Sequence, residues 1–469
     1  MGAPRPDLSP IGRGRSRLIG VLGRLGLEVS PGRTAAASNA GWLVAERILS
    51  GALAVTVTAA VARYLGPLDF GAFSFVLSLV LLFATFWTLG LSGLVVRELV
   101  RTPDRHEALL GTVASLRLIG GLGAFFGALG LTVLLGRDDE TRLLVAILLV
   151  GVLSMYAFDG IDYWLQAGVR SRHAVQARSA ALLIASALNV ALIVAGAPLL
   201  AFVLAAALEY VLAGVGLLAV YVRLGGAPQA WRFSLPLVRR LLAASWPLIL
   251  SGVANAINLR VDQLMLGVMN GPEAVGTYAA AARLSEVWYF VPAAIAGSVF
   301  PAMVRAHAGD RRTFDRWMGR LYDLMVGLAL PISVVVAIGS GLIVSVLYGP
   351  AYAPSATILT IHVWAGPFVF LGAALSRWLI AEDRLRFSLV RHGAGAAVNI
   401  GLNLILIPRY GGTGAAMATL ASYAVASLGA CFLYRPLWGQ GLAMLRSLAL
   451  PIRLLREGAA RLSGRPGPV

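Results

Sequence analysis

The sequence predicts an all-α membrane protein of about twelve transmembrane helices, and three observations predict it. Hydrophobic residues fill 58% of the 469 positions and charged residues only 13%, with a mean hydropathy of +0.79. A soluble chain needs roughly a quarter charged residues to cover its surface. Apolar runs of about 20 residues, long enough to span a ~30 Å hydrocarbon core, recur along the chain. Arginine is rich in every second loop and scarce in the others, as cytoplasmic and external loops of a membrane protein require.

Twelve segments reach spanning length, near residues 40–62, 71–92, 113–135, 143–165, 178–196, 199–221, 245–268, 279–301, 324–347, 357–380, 387–407 and 414–434. Segments five and six are separated only by Gly196-Ala197-Pro198. All 39 basic residues are arginine. With abundant alanine and glycine, this points to GC-rich coding and a bacterial source. Thirty arginines fall in the two tails and the even-numbered loops, against four (Arg63, Arg137, Arg142, Arg409) in the odd loops. Both termini and the even loops are therefore expected in the cytoplasm. This asymmetry explains most of the +17 net charge, so no nucleic-acid partner is implied. The expected organisation is a basic tail (1–36), a six-helix bundle (37–222), a cytoplasmic linker (223–244), a second six-helix bundle (245–436) and a basic interfacial tail (437–469). Leucines at helical spacing among arginines (Leu18, Leu22, Leu25; Leu442, Leu445, Leu448) suit an anionic membrane surface.

Cys431 is the only cysteine, which excludes an internal disulfide and a cysteine metal cluster. The five histidines show no metal-ligand spacing, and no cofactor is expected. The basic N-terminal tail lacks the apolar core and cleavage site of a signal peptide. No Walker motif, nucleophile elbow or long external loop carries a catalytic centre, so an enzyme is not expected.

An internal repeat divides the chain. Gly66-Pro67-Leu68-Asp69-Phe70-Gly71-Ala72-Phe73 matches Gly271-Pro272-Glu273-Ala274-Val275-Gly276-Thr277-Tyr278 at an offset of 205, and Ala187-Leu188-Asn189-Val190 matches Gly401-Leu402-Asn403-Leu404 at 214. Two six-helix halves repeat in parallel about an axis along the membrane normal, with a site between them. On segment seven, Ser251, Asn255, Asn258 and Asp262 share one helix face. On segment one, Asn39, Trp42, Glu46 and Ser50 form a comparable stripe. The expectation is that both stripes face a central cavity; the alternative is hydrogen bonding between packed helices. Arg47, Arg117 and Arg260 are candidate cavity cations. Arg260 lies half a turn from Asp262, so on a regular helix the two cannot face one way. Arg283 and Arg391, near helix ends, are expected to snorkel. Asp159 and Asp162 either relay protons or pair with Arg117. Glu209, Glu286 and His362 stand alone.

Four motifs carry a family resemblance. Ala62-Arg63-Tyr64-Leu65-Gly66-Pro67-Leu68-Asp69-Phe70-Gly71 with Val96-Arg97-Glu98-Leu99 resembles the opening of Wzx-type polysaccharide flippases. Arg260-Val261-Asp262-Gln263-Leu264-Met265-Leu266-Gly267 is similar to their segment-seven signature, and Ile407-Pro408-Arg409-Tyr410-Gly411-Gly412-Thr413-Gly414 to the one before segment twelve. The resemblance covers nearly all of residues 37–436. These flippases belong to the multidrug/oligosaccharidyl-lipid/polysaccharide exporter superfamily, which includes the MATE transporters. It implies two bundles, alternating access and an undecaprenyl-diphosphate-linked oligosaccharide as cargo. It also implies H+ or Na+ coupling, for which Asp262, Asp159 and Asp162 are the natural carriers, and work beside a polysaccharide polymerase and glycosyltransferases. A multidrug exporter, which wants an acidic cavity, a lipid II flippase, whose relatives carry two further C-terminal helices, and a membrane-bound enzyme of polysaccharide assembly are the competing readings.

Overall fold

The computed structural model describes residues 31–88, 91–384 and 386–453, and among them every regular element is helical. The chain divides into two compact units, Met1–Leu49 and Ser50–Val469. In the first unit the described residues, 31–49, are helical. The side chains of Glu46, Arg47 and Ser50, like the tail stripe of Leu18, Leu22 and Leu25, lie outside the described residues.

The N-terminal half comprises α1 (Pro31–Thr88), α2 (Ser92–Arg101), α3 (His106–Leu134), α4 (Asp139–Phe158), α5 (Gly160–Ala167), α6 (Ser171–Val194) and α7 (Leu199–Arg223). The C-terminal half comprises α8 (Leu235–Met269), α9 (Pro272–Glu286), α10 (Phe290–Gly309), α11 (Arg311–Leu347), α12 (Ala353–His362), α13 (Ala365–Ala381), α14 (Arg386–Ala424) and, after a π-turn at Val425–Gly429, α15 (Ala430–Phe432). Finally α16 (Trp438–Leu448) leaves Leu442 and Leu445 exposed while Met444 packs inward. Its polar side is fastened by Tyr322, whose hydroxyl donates to Gln440 Oε1 at 3.0 Å.

Eight described helices are long and apolar enough to cross a membrane, or nine counting the pair Pro350–His362 and Ala365–Ala381, bent by 45°. Two longer helices are broken by a glycine, α1 at Gly66 and α14 at Gly411, so the path is compatible with twelve crossings. Helices satisfy their own backbone, as a bilayer demands. Leu134, Val194 and Ile338 are more than 80% exposed, an exposure only lipid makes cheap. The breaks fall where glycine is needed. Gly66, Gly136, Gly196, Gly271, Gly349 and Gly411 all have positive φ, a backbone open to glycine without strain, and all lie in arginine-poor turns.

The two halves meet at this arginine-poor end. A Cβ on Gly71 would lie 1.8 Å from the Pro272 carbonyl oxygen, and one on Gly276 would lie 2.0 Å from that of Pro67. Each contact is the other under the 205-residue offset. The repeat thus marks where equivalent backbones touch across a pseudo-two-fold axis. One hydrophobic core runs through the junction, joining Phe70, Phe75 and Leu79 to Leu266, Tyr278 and Tyr352. Polar bonds close its rim: Ser78 Oγ donates to Gln263 Oε1 (2.7 Å), Arg137 to the Gly267 carbonyl (2.6 Å) and Tyr352 OH to the Ala62 carbonyl (2.7 Å).

Candidate functional site

Three polar constructions interrupt the apolar interior. In the C-terminal half, Asp262 of α8 is 2% exposed. Its Oδ1 accepts from Asn403 Nδ2 of α14 at 2.5 Å, and its Oδ2 accepts from Tyr278 OH of α9 at 2.9 Å and Thr419 Oγ1 at 2.6 Å. Asn399 Oδ1 accepts from Asn403 at 2.8 Å. The oxygens are crowded. Tyr278 and Thr419 have one hydroxyl proton each, yet lie 3.0 Å apart, and Thr419 also meets the Ala415 carbonyl at 3.0 Å. The Asn403 carbonyl oxygen is buried and unbonded. Among the described residues no basic side chain pairs with Asp262. One negative charge in a nest of hard oxygens suits a small monovalent cation or a proton. No cluster of three or more His, Cys, Asp or Glu exists among the described residues to hold a more highly charged metal.

The segment-seven stripe continues along α8 from Asp262. Ser251 Oγ meets Ser388 Oγ at 3.1 Å, and Asn258 Nδ2 donates to the His392 carbonyl at 3.3 Å. Asn255 is half-buried on the same helix. Ser251 and Asn258 thus bond α8 to α14 inside the C-terminal half. The Ser251 hydroxyl and the Asn258 amide nitrogen find partners there that lipid cannot offer.

In the N-terminal half the carboxylates are already paired. The helix path breaks at Asp159, between α4 and α5. Arg117 of α3, fully buried, places Nη1 3.1 Å from Asp159 Oδ2. Arg178 of α6 reaches Asp159 Oδ1 at 2.8 Å and Asp162 Oδ2 at 2.9 Å. Tyr163 OH accepts from Arg117 at 2.7 Å and donates to Asp159 at 2.8 Å. Two arginines neutralise two aspartates, so the structural pairing, not a free relay, is what the geometry displays. Arg117 is also committed, with no surface left for a substrate. Arg178, at the first residue of segment five, belongs to this network although the sequence did not mark it.

The third construction lies between the halves. Arg260 is half-buried on α8 and turned from Asp262, as the half-turn spacing requires. It interacts electrostatically with Arg283 and Glu286 of α9 and with Tyr210 of α7. Arg283 stacks over the Phe70 ring, 5.2 Å from its centroid, rather than snorkelling. Among the described residues neither arginine has a carboxylate within ion-pair distance. Two guanidinium groups with one nearby carboxylate, Glu286, leave a net positive charge in this cluster. Arg391 does not snorkel either. It is 4% exposed, donates to Ser376 Oγ at 2.7 Å, and reaches the Ala426 carbonyl in the π-turn.

Two halves joined at one end, with buried charged clusters within and between them, are the architecture of a membrane transporter. By the match of residues 36–307 to the family model "Polysaccharide biosynthesis protein", more than half the chain, this protein belongs to that family. Residues 247–405 also match the MatE model. The chain is 22% identical to a "Putative O-antigen transporter" of Shigella flexneri over 399 residues, covering 81% of this chain and 93% of that one. Its fold is shared with the "Lipid II flippase MurJ, inward closed conformation" (TM-score 0.68, 17% identity, covering 88% of this chain and 92% of that one). It is shared also with an inward-facing "multidrug resistance MATE family transporter of the MOP superfamily" (TM-score 0.65, 15% identity, covering 86% and 95%). The chain is thus a multi-pass membrane protein of this superfamily.

Proposed function

We propose that this protein flips an undecaprenyl-diphosphate-linked oligosaccharide across the bacterial cytoplasmic membrane by alternating access. The observation that carries the reading is the pair Arg260 and Arg283, which among the described residues have no carboxylate within ion-pair distance and stand where α8 and α9 meet Phe70 and Tyr210 of the N-terminal half. A diphosphate carries two adjacent acidic groups, and two guanidinium groups bind such an anion by paired, charge-assisted hydrogen bonds. The named O-antigen transporter among the relatives supports the cargo class. The arginine-rich loops and both termini face the cytoplasm. Closure of the arginine-poor end, where Gly71 and Gly276 touch, then makes this an inward-directed state. The Asp262 pocket binds the coupling Na+ or H+, and a polymerase and glycosyltransferases act before and after the flip. A multidrug exporter would gather cations, which Arg260 and Arg283 repel.

Reconstitution into vesicles with fluorescent undecaprenyl-diphosphate-oligosaccharide tests the reading. Transfer of the labelled sugar to the opposite leaflet is expected for the wild-type protein and is lost in Arg260→Ala/Arg283→Ala. Equal transport by that double variant, or transport only of cationic drugs, would overturn it.

A further inference from the structure

A cavity that shares no residue with the Arg260–Arg283 cluster lies on the N-terminal half. It has a volume of about 690 Å³, opens between the arginine-rich ends of α3 and α4 and is roofed by Trp231 and Phe233 of the linker. Its volume falls in the range of small-ligand sites, roughly 300–1,000 Å³. Leu118, Val150 and Phe233 on its lining are 44%, 55% and 55% exposed, so it opens outward to the bilayer. Its chemistry is that of hydrocarbon. The two lining serines are spent on their own helices: Ser115 Oγ donates to the Gly111 carbonyl and Ser154 Oγ to the Val150 carbonyl, each at 2.8 Å. Nothing there calls for a sugar.

The roof is fastened. A Cβ on Gly111 would lie 2.6 Å from the Arg232 nitrogen, so the linker backbone lies flush against α3. Arg232 N–H donates to the Glu107 carbonyl at 3.4 Å, Ser234 N–H to Thr112 Oγ1 at 3.0 Å, and Trp231 Nε1–H to Tyr221 OH at 3.1 Å. These bonds hold the Arg232 backbone while its side chain stays exposed beside Phe233. An exposed arginine side chain on a fastened backbone, between two residues that line an apolar groove at the arginine-rich end, is complementary to one ligand in particular. Basic sites between helices on that side bind anionic headgroups.

We infer that this groove holds the acyl chains of an anionic phospholipid, with Arg232 on its phosphate. The linker joins the two halves, so lipid bound beneath it braces the strap across which they must rock. The inference is independent of the cargo, because the groove shares no residue with the Arg260–Arg283 site.

Full-length protein in phosphatidylcholine vesicles with one-fifth phosphatidylglycerol, part of it carrying an acyl-chain diazirine, tests it. Photolysis and peptide mass spectrometry should place adducts on residues 111–118 and 150–158. Ser154→Phe and, separately, Ala157→Phe fill the groove and should reduce those adducts about tenfold while adducts elsewhere persist. Arg232→Ala should lower labelling by the phosphatidylglycerol probe and leave that of a diazirine phosphatidylcholine unchanged. Adducts spread evenly over α6 and α7, or unaffected by either filling variant, would overturn the groove. Equal labelling by the two headgroups would overturn its anionic selectivity.

Discussion

The two repeats place their charge in opposite ways. Around Asp159 the N-terminal half sets two arginines against two aspartates, and the sum is neutral. Around Asp262 the C-terminal half sets one aspartate among hydroxyls and amides, with no basic side chain paired to it among the described residues. The repeat sharpens the contrast. Shifting Asp262 and Tyr278 back by 205 lands on Val57 and Phe73, and shifting Asn403 and Thr419 back by 214 lands on Asn189 and Ala205. Of that set only Asn189 is polar, and its amide donates to the Ala185 carbonyl of its own helix at 2.9 Å. Conversely, Arg117 and Asp159 map forward onto Tyr322 and Trp364. One repeated frame therefore carries salt-bridged aspartates in one half and, among the described residues, an aspartate without a basic partner in the other. A carboxylate whose counter-charge is built in holds structure; one whose counter-charge must arrive from outside can couple to it.

Breaking these salt bridges should have the largest effect on stability. Removing one partner of a buried ion pair costs about 3–5 kcal/mol, because the other is left charged and alone. Arg117→Ala should lower the melting temperature in detergent sharply. Arg117→Met with Asp159→Leu should recover most of the loss, since Arg178 and Asp162 still pair. A single variant as stable as wild type would remove the salt bridges from the account.

The cations between the halves come next. Arg260→Ala or Arg283→Ala each deletes a charge-assisted bond worth ~1.5–3 kcal/mol, so the substrate KM should rise about 10–100-fold. Unlike Arg117→Ala, neither should lower the melting temperature, because neither leaves a paired carboxylate stranded. A collapse in stability would show these arginines to be structural too.

Gly71→Ala acts on the junction. Its new Cβ cannot fit against Pro272, and overpacking costs roughly 1–3 kcal/mol. That penalty falls only on the closed arginine-poor end, so spin labels across the junction should report a shift toward its open form. An unchanged distance distribution would show that the two halves do not part there. The smallest effect belongs to Asn258→Ala. It removes one long bond to α14 and should cost about 0.5–1.5 kcal/mol with coupling intact.

Much of the fold was legible because membrane insertion writes itself in composition. Apolar length and the arginine asymmetry marked the spans, and Gly66-Pro67 and Gly271-Pro272 announced the junction. Asp262 was legible because a lone aspartate in a spanning helix needs a reason. Its partners were not. Tyr278 and Asn403 were visible as repeat positions, but which helix they face depends on packing. Thr419 lies beyond the Gly411 break and resembles any small residue between helices. What the Ser251–Asn258–Asp262 face meets was not legible for the same cause: periodicity says that residues share a face, not which helix the face meets. Arg283 was hidden by its place near a helix end, where snorkelling is the ordinary fate of arginine. The Phe70 ring across the junction holds it inward.

The central proposal is that Asp262 is the coupling carboxylate. Vesicles carrying wild-type protein or Asp262→Asn, loaded with labelled lipid-linked oligosaccharide and placed under a Na+ gradient or a pH gradient, measure it directly. Wild-type flipping should accelerate under one of the two gradients, and Asp262→Asn should flip at the gradient-free rate under both. Gradient-stimulated flipping by Asp262→Asn would contradict the account.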